Sequence, residues 1–529
     1  MTSSPKLLFA LPVLLGICSG GNSLLAQSKN LPSIDPSTLP RIATVDERFQ
    51  SYNIEMVEVT GGRFWKPYAS KADASAAAQP TGNQPAVMDP SLYEYRPPID
   101  LSNPRLRTLA AALGPAYLRV SGTWANTTYF QNSNDPAPVT PPKGFNGVLT
   151  RAQWKGVVDF SHAANASLVT SFAISPGARD ASGAWMQDEA SQWVSYTQSI
   201  GGHIAAAEFM NEPNIAAIGG APKGYDAAAY ARDIKAFRAF AKTALPDLIF
   251  LGPGAAGEGT LMTPSSIGTI SSADLLTAAG PAFDAVSYHS YGAVSSRCKI
   301  FGASATTSAQ AALSDEWLAR SGRIEEFYAG IRDRFEPGKP LWNTETAQAA
   351  CGGDRWASTF LDTFRYVNQL GLLAKRGVQV NMHNTLAASD YGLLDEKTYA
   401  PRPDYWAALL WHKLMGPVVL DVAAPGASGL HIYAHCLRSS PGGASLLVIN
   451  ASRDETVSLQ IPSASQRYTL SAHDLEATTL QLNGVELQLA EGDKLPGFDG
   501  EPTKPGQLTF SPATLTFLSI PKAHNTNCK

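Results

Sequence analysis

The chain has 529 residues, of which 44% are hydrophobic and 16% are charged, and its formal net charge is −4. This length is enough for a large domain and a smaller one, and the composition is that of a folded globular protein rather than a disordered one. The small negative charge argues against a protein built around nucleic acid or a membrane surface. We therefore expect no nucleic-acid partner, and we expect the protein to act as a monomer.

The N-terminus has the pattern of a signal peptide. Lys6 precedes an apolar run over residues 7–17, which is too short to cross a bilayer, and no later segment is apolar enough to span a membrane. We predict a signal peptide over residues 1–26 and therefore a secreted or periplasmic protein. Ile17 is larger than the residue that usually precedes a lipidated cysteine, so we expect no lipid anchor at Cys18.

Four cysteines remain after the predicted cleavage: Cys298, Cys351, Cys436 and Cys528. An even number in an exported chain favours two disulfides, and three connectivities are open. Pairing within the first part of the chain and within the last part is the simplest choice, with free buried thiols as the alternative. No spacing resembles a zinc site, and we predict neither a metal nor a cofactor.

Short apolar strands alternate with helical patterns through the first four hundred residues. Helical spacing recurs between most of the strands, for example over residues 104–113 and 225–245. The predicted strands lie at 53–59, 117–120, 168–174, 204–210, 248–251, 285–288, 341–344 and 378–382. Eight such units predict an α/β fold, a (β/α)8 TIM barrel over residues 45–414, with its active site at the carboxyl ends of the strands.

The pattern changes after residue 414. Short β-branched segments separated by turns run from about residue 430 to 520, without helical periodicity. We predict an all-β sandwich domain over residues 415–529, to which residues near 27–50 can contribute. The stretch 69–90 is rich in Ala, Gln, Pro and Gly and predicts a loop.

Two carboxylates stand at the ends of predicted strands. Asn211-Glu212-Pro213 ends the fourth strand, and Glu345 ends the seventh. Cleavage of a glycosidic bond needs such a pair, one carboxylic acid to protonate the leaving oxygen and one carboxylate to attack the sugar or activate water. Each motif alone is weak, since Asn-Glu-Pro often caps a helix, but the pair at the mouth of one barrel favours catalysis. Asn211 would then orient a sugar hydroxyl.

Other side chains at the predicted mouth have more ordinary alternatives. His289 and Tyr291 end the sixth strand, where Tyr291 could bond the nucleophile or both could simply pack. Gly352-Gly353 could present N–H groups to an anion or form a plain turn. The tryptophans Trp124, Trp185 and Trp342 could stack on sugar rings or belong to the core.

Several motifs together resemble heparanase and its bacterial relatives in glycoside hydrolase family 79, a family of clan A retaining glycosidases. The resemblance covers about residues 45–528. The motifs are 208–214 (EFMNEPN), 342–346 (WNTET) with Gly352-Gly353 after it, 403–406 (PDYW) and 481–485 (QLNGV).

The resemblance implies a retaining β-glucuronidase built from a barrel and a β-sandwich that takes strands from both ends of the barrel region. It makes Glu212 the acid/base and Glu345 the nucleophile. It also implies a set of contacts to a glucuronic-acid-containing carbohydrate: Asn211, Gly352, Gly353, Tyr391, Thr123, Asn384 and Glu55. Cys436 and Cys528 match the sandwich disulfide of the family.

The chain departs from this family at one position near the mouth. Cys351 stands where the family has an aromatic residue before the two glycines, which fits a local Cys298–Cys351 disulfide. There is no long insertion over 100–170 and no Lys/Arg cluster around the cleft. We therefore expect a single working chain, with no sign of a preference for sulfated heparan.

Several functions stay open at this point. The substrate could be a heparan-like polymer, a small glucuronide or another uronic-acid glycan. The segment 61–100 is long enough to close one end of the cleft, which favours exo action. The alternatives are another clan A glycosidase, such as an arabinofuranosidase or xylosidase, and a non-catalytic glycan-binding protein.

Overall fold

The computed structural model describes residues 31–68, 89–260, 269–298, 305–423 and 426–529. The predicted signal peptide (1–26) and nearly all of the predicted loop (69–90) lie outside these ranges. Within them, no helix combines the length and the apolar character that a membrane span requires.

The strands and helices follow one another in the order that the sequence patterns predict. The strands are β1 (Arg41–Thr44), β2 (Gln50–Glu55), β3 (Gly62–Trp65), β4 (Tyr93–Arg96), β5 (Ala116–Ser121), β6 (Thr128–Gln131), β7 (Gly147–Thr150), β8 (Ala166–Thr170), β9 (Ile204–Glu208), β10 (Ile249–Ala256), β11 (Ala285–Tyr291), β12 (Leu341–Ala347), β13 (Val380–His383), β14 (Met415–Leu420), β15 (Leu430–Leu437), β16 (Ala444–Asn450), β17 (Val457–Ile461), β18 (Ser465–Ser471), β19 (Gln481–Leu482), β20 (Val485–Glu486), β21 (Glu501–Thr503), β22 (Gly506–Phe510) and β23 (Thr514–Ile520). The helices are α1 (Met56–Thr60), α2 (Pro104–Ala111), α3 (Arg151–Ala163), α4 (Asp188–Ser199), α5 (Ala227–Ala244), α6 (Ser272–Ala279), α7 (Asp315–Leu318), α8 (Arg320–Phe335), α9 (Phe360–Lys375) and α10 (Pro403–Leu414).

Eight parallel strands close into a barrel. Their order around it is β2, β5, β8, β9, β10, β11, β12 and β13, and β13 pairs with β2 to complete the circle. The predicted TIM barrel is confirmed, with Glu212 following the fourth strand and Glu345 on the seventh. Apolar side chains such as Tyr117, Val169 and Trp342 fill the amino-terminal end of the barrel, so Trp342 belongs to the core.

The first barrel strand is shorter than the alternating pattern predicts. The prediction of a strand over 53–59 is wrong after Glu55, where α1 begins at Met56. The cause is a capping box, in which the Glu58 side chain accepts a 2.9 Å hydrogen bond from the Glu55 N–H. The helix therefore starts at the mouth and leaves the Glu55 side chain at the end of its strand.

The strands after residue 414 form a large antiparallel sheet. Its order is β1-β14-β15-β16-β23-β18-β19-β20, with β21 also paired to β18. Because β1 precedes the barrel and pairs with β14, the sheet takes a strand from each side of the barrel region. The Cys436–Cys528 disulfide joins β15 to the last residues of the chain.

The two faces of this sheet are covered differently. The β17–β22 ribbon covers one face through an apolar cluster that includes Leu446, Leu459 and Phe510. The other face packs on α9 and α10, and a side chain at Gly371 of α9 would lie 2.3 Å from the Tyr433 ring. The predicted sandwich is thus present with a second layer of only two strands, and the sheet is firmly attached to the barrel.

Candidate active site

The loop that carries Glu212 is clamped by side-chain amides. The Asn126 side chain accepts a 2.9 Å hydrogen bond from the Asn211 N–H and donates a 2.9 Å hydrogen bond to the Asn211 carbonyl. Asn214 makes the same two-way pair with the backbone of Ala256. Glu212 itself adopts left-handed dihedrals, φ 50° and ψ 61°, before the short 3-10 turn Pro213–Ile215. These bonds fix a carboxylate that no regular strand or helix holds.

Glu345 lies inside β12, opposite His289 of β11. Tyr291 donates a 2.5 Å hydrogen bond to its Oε1, and Arg119 donates a 2.8 Å hydrogen bond to its Oε2. Both donors are buried. The carboxylate is therefore oriented from two sides.

His289 lies between the two glutamates. Its Nδ1 is 3.0 Å from Glu212 Oε1 and 3.7 Å from Glu345 Oε2. One carboxylate oxygen of each glutamate and this ring lie within 4.8 Å of one another. Retaining glycosidases hold their two carboxyl groups about 5–5.5 Å apart, and inverting ones hold them further apart. The separation therefore fits a double displacement.

The same three side chains have a spacing that a metal ion could use. However, the oxygen of Glu345 that faces His289 already accepts from the Arg119 guanidinium. One of the three atoms that a metal ion would use is thus already paired with a cationic side chain of the protein.

The protein environment separates the pKa values of the two glutamates. Burial raises the pKa of Glu212, and the charge of Glu345 raises it further, against the hydrogen bond from His289. Burial also acts to raise the pKa of Glu345, but the charges of His289 and Arg119 and the bond from Tyr291 outweigh it and lower that pKa. The pKa of one carboxyl group is raised and that of the other is lowered, the separation that an acid and a nucleophile need.

Arg119 and Glu208 form a buried ion pair below the two glutamates. Arg119 donates to Glu208 Oε2 at 2.9 and 3.2 Å and to Asn211 Oδ1 at 2.8 Å. Neither residue is predicted from the sequence as part of the site. The available signal was a charged residue inside each of two short apolar strands, which are otherwise expected to be buried without charge.

Most of the predicted site residues line one cavity of about 120 Å³ at the mouth of the barrel. Those that line it are Glu55, Thr123, Glu212, Tyr291, Glu345, Asn384 and Tyr391. Asn211 and His289 lie behind the two glutamates. Arg119 connects Asn211 to the pair, whereas His289 contacts Glu212 directly. Gly352 and Gly353 follow Cys351, which lines the cavity.

One corner of the cavity is a polar network around Asn384. Its amide lies 3.1 Å from Glu55 Oε1, 3.2 Å from the Tyr291 hydroxyl and 3.3 Å from the Tyr391 hydroxyl. Glu55 Oε2 is buried and has no hydrogen-bond partner among the described residues. Burial, followed by the charge of Glu345, raises the pKa of Glu55 well above its usual range. This corner offers both donors and acceptors to sugar hydroxyls.

The two glycines after Cys351 differ in what they can offer. The Gly353 N–H donates to the Ala349 carbonyl at 3.1 Å, so this amide is already used. The Gly352 N–H has no hydrogen-bond partner among the described residues. Of the two amides predicted to bind a carboxylate, Gly352 is the one left free.

Aromatic and apolar side chains complete the cavity wall. Trp65 of β3 and Trp124 line it, and Trp65 stacks on Tyr93 of β4 with ring centroids 4.5 Å apart. Trp124 is thus placed as a sugar-stacking residue would be. Trp185 is instead packed against Phe209 in the core. The wall residues that sequence analysis did not select are Trp65, Ile215, Ile218, Ala256, Gly257, Val294 and Ala350.

No family model matches the chain. Comparison with known proteins finds heparanase-like protein 1 of Arabidopsis thaliana, 28% identical over 383 residues, which covers 68% of this chain and 67% of the relative. Heparanase of Mus musculus is 25% identical over 78% of this chain and 84% of its own length. The chain is a glycoside hydrolase that is similar to the heparanase-like proteins. Baicalin-β-D-glucuronidase of Scutellaria baicalensis shows higher identity, 34%, over 32% of this chain and 34% of that enzyme.

Similarity to the heparanase-like proteins does not by itself imply activity. A further relative of this hydrolase is inactive heparanase-2 of Mus musculus, 26% identical over 38% of each chain. Its presence among the relatives makes the intact pair of glutamates the feature to test.

Solved structures show the same fold as this heparanase-like hydrolase. A 4-O-α-L-rhamnosyl-β-D-glucuronidase from Fusarium oxysporum superposes with a TM-score of 0.62 at 15% identity, over 93% of this chain and 99% of that one. An α-L-arabinofuranosidase from Thermotoga maritima gives 0.60 at 13% identity, over 92% and 99%. These likenesses concern the architecture, barrel and sheet together, and leave substrate choice to the site.

Proposed function

We propose that this protein is an exported, retaining β-glucuronidase. The observation that carries the proposal is the pair Glu212 and Glu345, within 4.8 Å of each other and with pKa values moved in opposite directions. The uronic-acid part rests on the relatives named for heparanase and glucuronidase activity, on Tyr391 in the cavity wall, and on Gly352 directly after the wall residue Cys351.

In the first step Glu345 attacks the anomeric carbon while Glu212 gives its proton to the leaving oxygen. The bond to the leaving group breaks and a covalent glycosyl-enzyme forms on Glu345. In the second step Glu212, now a carboxylate, takes a proton from water, which attacks the same carbon and releases Glu345. Two displacements restore the starting configuration, so the product is the β-anomer.

The charges around Glu212 and Glu345 support both of these reaction steps. Arg119 and His289 keep Glu345 ionised before the attack, and the bond from Tyr291 fixes the direction of one of its oxygens. Once Glu345 becomes an ester in the first step, the negative charge that raised the pKa of Glu212 is gone. The pKa of Glu212 then falls, which suits the loss of its proton.

The cavity favours exo action. A strand hairpin, β3 and β4, brings Trp65 to its wall, and the volume of about 120 Å³ suits a terminal sugar better than the middle of a polymer. We therefore propose release of single terminal glucuronic acids, from small glucuronides or from chain ends. Sizing the products formed from a defined oligosaccharide tests this, since an endo enzyme would release fragments longer than one sugar.

Hydrolysis of an aryl β-glucuronide tests the activity itself. Wild type should cleave it and NMR should show the β-anomer first, whereas Glu345→Gln should be inactive. Cleavage of aryl pentosides without any of the glucuronide would favour the arabinofuranosidase or xylosidase alternative. Failure of Glu345 to react with a cyclophellitol-type probe would favour a non-catalytic glycan-binding protein.

Export rests on the predicted signal peptide together with the two disulfides, because disulfides persist mainly in oxidising compartments. The monomeric state stays a prediction, which light scattering of the purified protein would test.

A further inference from the structure

The Cys298–Cys351 disulfide lies at the wall of the active-site cavity. Cys351 lines the cavity and directly precedes Gly352, whereas Cys298 is buried in an apolar cluster with Val294 and Ala305. The bond joins the loop after β11 to the loop after β12. It therefore connects the two strands that carry His289 and Glu345.

The same two loops are also joined by hydrogen bonds. The Ala350 N–H donates to the Ala293 carbonyl and the Ser295 N–H to the Ala350 carbonyl, each at 3.0 Å. Arg297, next to Cys298, donates to the Cys351 carbonyl at 2.8 and 3.1 Å. The disulfide thus reinforces these hydrogen bonds between the two loops. The Cys351 carbonyl that accepts from Arg297 belongs to the same peptide group as the Gly352 N–H.

The space around Gly352 leaves the loop little choice of position. A Cβ atom on Gly352 would lie 2.4 Å from Arg297 Nη2, 2.6 Å from Ser389 Oγ and 2.6 Å from Trp65 Cβ. Cys351 and Gly352 both have positive φ, 65° and 83°. The orientation of the peptide between them is therefore fixed by its surroundings, and its three neighbours belong to separate segments of the chain, the loop after β11, the loop after β13 and strand β3.

We propose that the Cys298–Cys351 disulfide is a specificity-determining element that fixes the Gly352 amide for the sugar carboxylate. The inference rests on the proposed function, because it concerns the group that distinguishes a glucuronide from a glucoside. A fixed N–H group binds an anion without first being ordered. Without the cross-link only the hydrogen bonds and the packing around Gly352 hold the loop, so the amide is fixed less firmly and the contact to the carboxylate weakens.

The contacts to the rest of the sugar do not depend on this bridge. Glu55 and Asn384 are held by their own network, and Glu212 and Glu345 by Asn126, Arg119 and Tyr291. Loss of the disulfide should therefore raise KM for substrates with a carboxylate and leave kcat nearly unchanged. Substrates with a hydroxymethyl group in its place should be unaffected.

The test compares an aryl β-glucuronide with the matching aryl β-glucoside. In Cys298→Ser/Cys351→Ser we expect KM for the glucuronide to rise about tenfold or more, as for loss of one hydrogen bond to a charged group, with kcat within about threefold. The ratio of kcat/KM for the two substrates should fall by the same factor. Cys436→Ser/Cys528→Ser, which removes the disulfide of the distant sheet, should keep the wild-type ratio.

A second arm keeps the test decisive if the double variant fails to fold. In Cys436→Ser/Cys528→Ser, Cys298–Cys351 is the disulfide left among the described residues. Dithiothreitol should lower the ratio in this folded protein, and reoxidation should restore it. A uniform loss on both substrates would point to a merely structural bond and overturn the inference.

The two proposals fail in different ways. A wild-type enzyme that hydrolyses the glucoside as readily as the glucuronide would remove the proposed function and this inference together. A wild-type enzyme that prefers the glucuronide, with an unchanged ratio after loss of the disulfide, would remove the inference alone.

Discussion

Arg119 and Glu345 form a buried pair at the centre of the barrel, with Arg119 Nη1 donating to Glu345 Oε2 at 2.8 Å. The remaining donors of the same guanidinium bind Glu208 and Asn211. One arginine therefore links Glu345, the proposed nucleophile, to the loop that carries Glu212. Both the ionisation and the orientation of Glu345 depend on it.

Arg119→Gln should lower kcat/KM by about 100-fold, because it removes a preorganised charge beside the reacting carboxylate. The charge of Arg119 lowers the pKa of Glu345, so its loss raises that pKa. The acid limb of the pH profile should then move to higher pH. Arg365→Gln is the control, since Arg365 is also buried and paired, with Asp362, but outside the cavity. An acid limb that moves equally in both variants would contradict the assignment.

The roles of the two glutamates can be separated with azide and an aryl glucuronide that has a good leaving group. Glu345→Ala should lose about 10⁴-fold or more in kcat. Azide should restore activity by entering the vacated space on the face that Glu345 attacks, and the product should be the α-glucuronyl azide. Glu212→Ala should give the β-azide, because azide then attacks the glycosyl-enzyme from the other face. The same azide anomer from both variants would show that the roles are assigned wrongly.

His289→Gln should move both limbs of the pH profile upward. The hydrogen bond and charge of His289 lower the pKa of Glu212, and its charge lowers that of Glu345. Without the histidine both pKa values rise, so ionisation of the nucleophile and loss of the acid proton both occur at higher pH. The measurement is kcat/KM against pH. His435→Gln, in the distant sheet, should leave both limbs in place.

Gly122→Ala should raise KM by an order of magnitude or more by displacing Glu55. Gly122 has φ +90°, and a Cβ atom there would overlap Glu55 Oε2. Gly183→Ala is a matched control, because Gly183 has φ +84° and open space where the Cβ would be. Both variants place an alanine at positive φ, which costs on the order of 1–3 kcal/mol. A loss of substrate affinity confined to Gly122→Ala would therefore report on Glu55, and equal losses would argue against its contact with the sugar.

Acid should weaken the fold through His435. Burial lowers the pKa of this side chain from 6.5 to about 4. Below pH 6.5 the unfolded chain therefore binds a proton at this histidine that the folded chain does not bind. The contribution is fully present above pH 6.5 and is lost as the pH falls toward 4, by about 3 kcal/mol in all. Urea unfolding of His435→Gln should show a smaller decline over this range than wild type. The exposed His203→Gln should decline as wild type does.

The order of the elements could be predicted from the sequence because strand and helix patterns are local. Each barrel strand is a short apolar run between a helix and a turn. Such a run can be recognised from residues that are neighbours in the sequence. Glu212 and Glu345 were found in the same way, as carboxylates at the ends of such runs. The error at residues 56–59 arose because a capping box competed with an alternating pattern.

The lining of the cavity could not be predicted in this way. Trp65 reaches it through a hairpin outside the barrel, and Arg119 meets Glu345 across 226 positions of sequence. Such contacts depend on which strands become neighbours after the barrel closes. No spacing along the chain records them.

Two carboxylates at the mouth of an eight-stranded barrel could be predicted from residue types and local order, together with an even set of four cysteines beyond the predicted signal peptide. The direction in which each carboxyl pKa moves depends on the folded chain, because it is set by burial and by the charges of Arg119 and His289 brought from other strands. The tertiary structure also decided that Cys298 and Cys351 meet at the cavity wall. Residue types and local structural elements follow from the sequence. The electrostatic environment of a carboxyl group, in contrast, arises only when distant segments pack together.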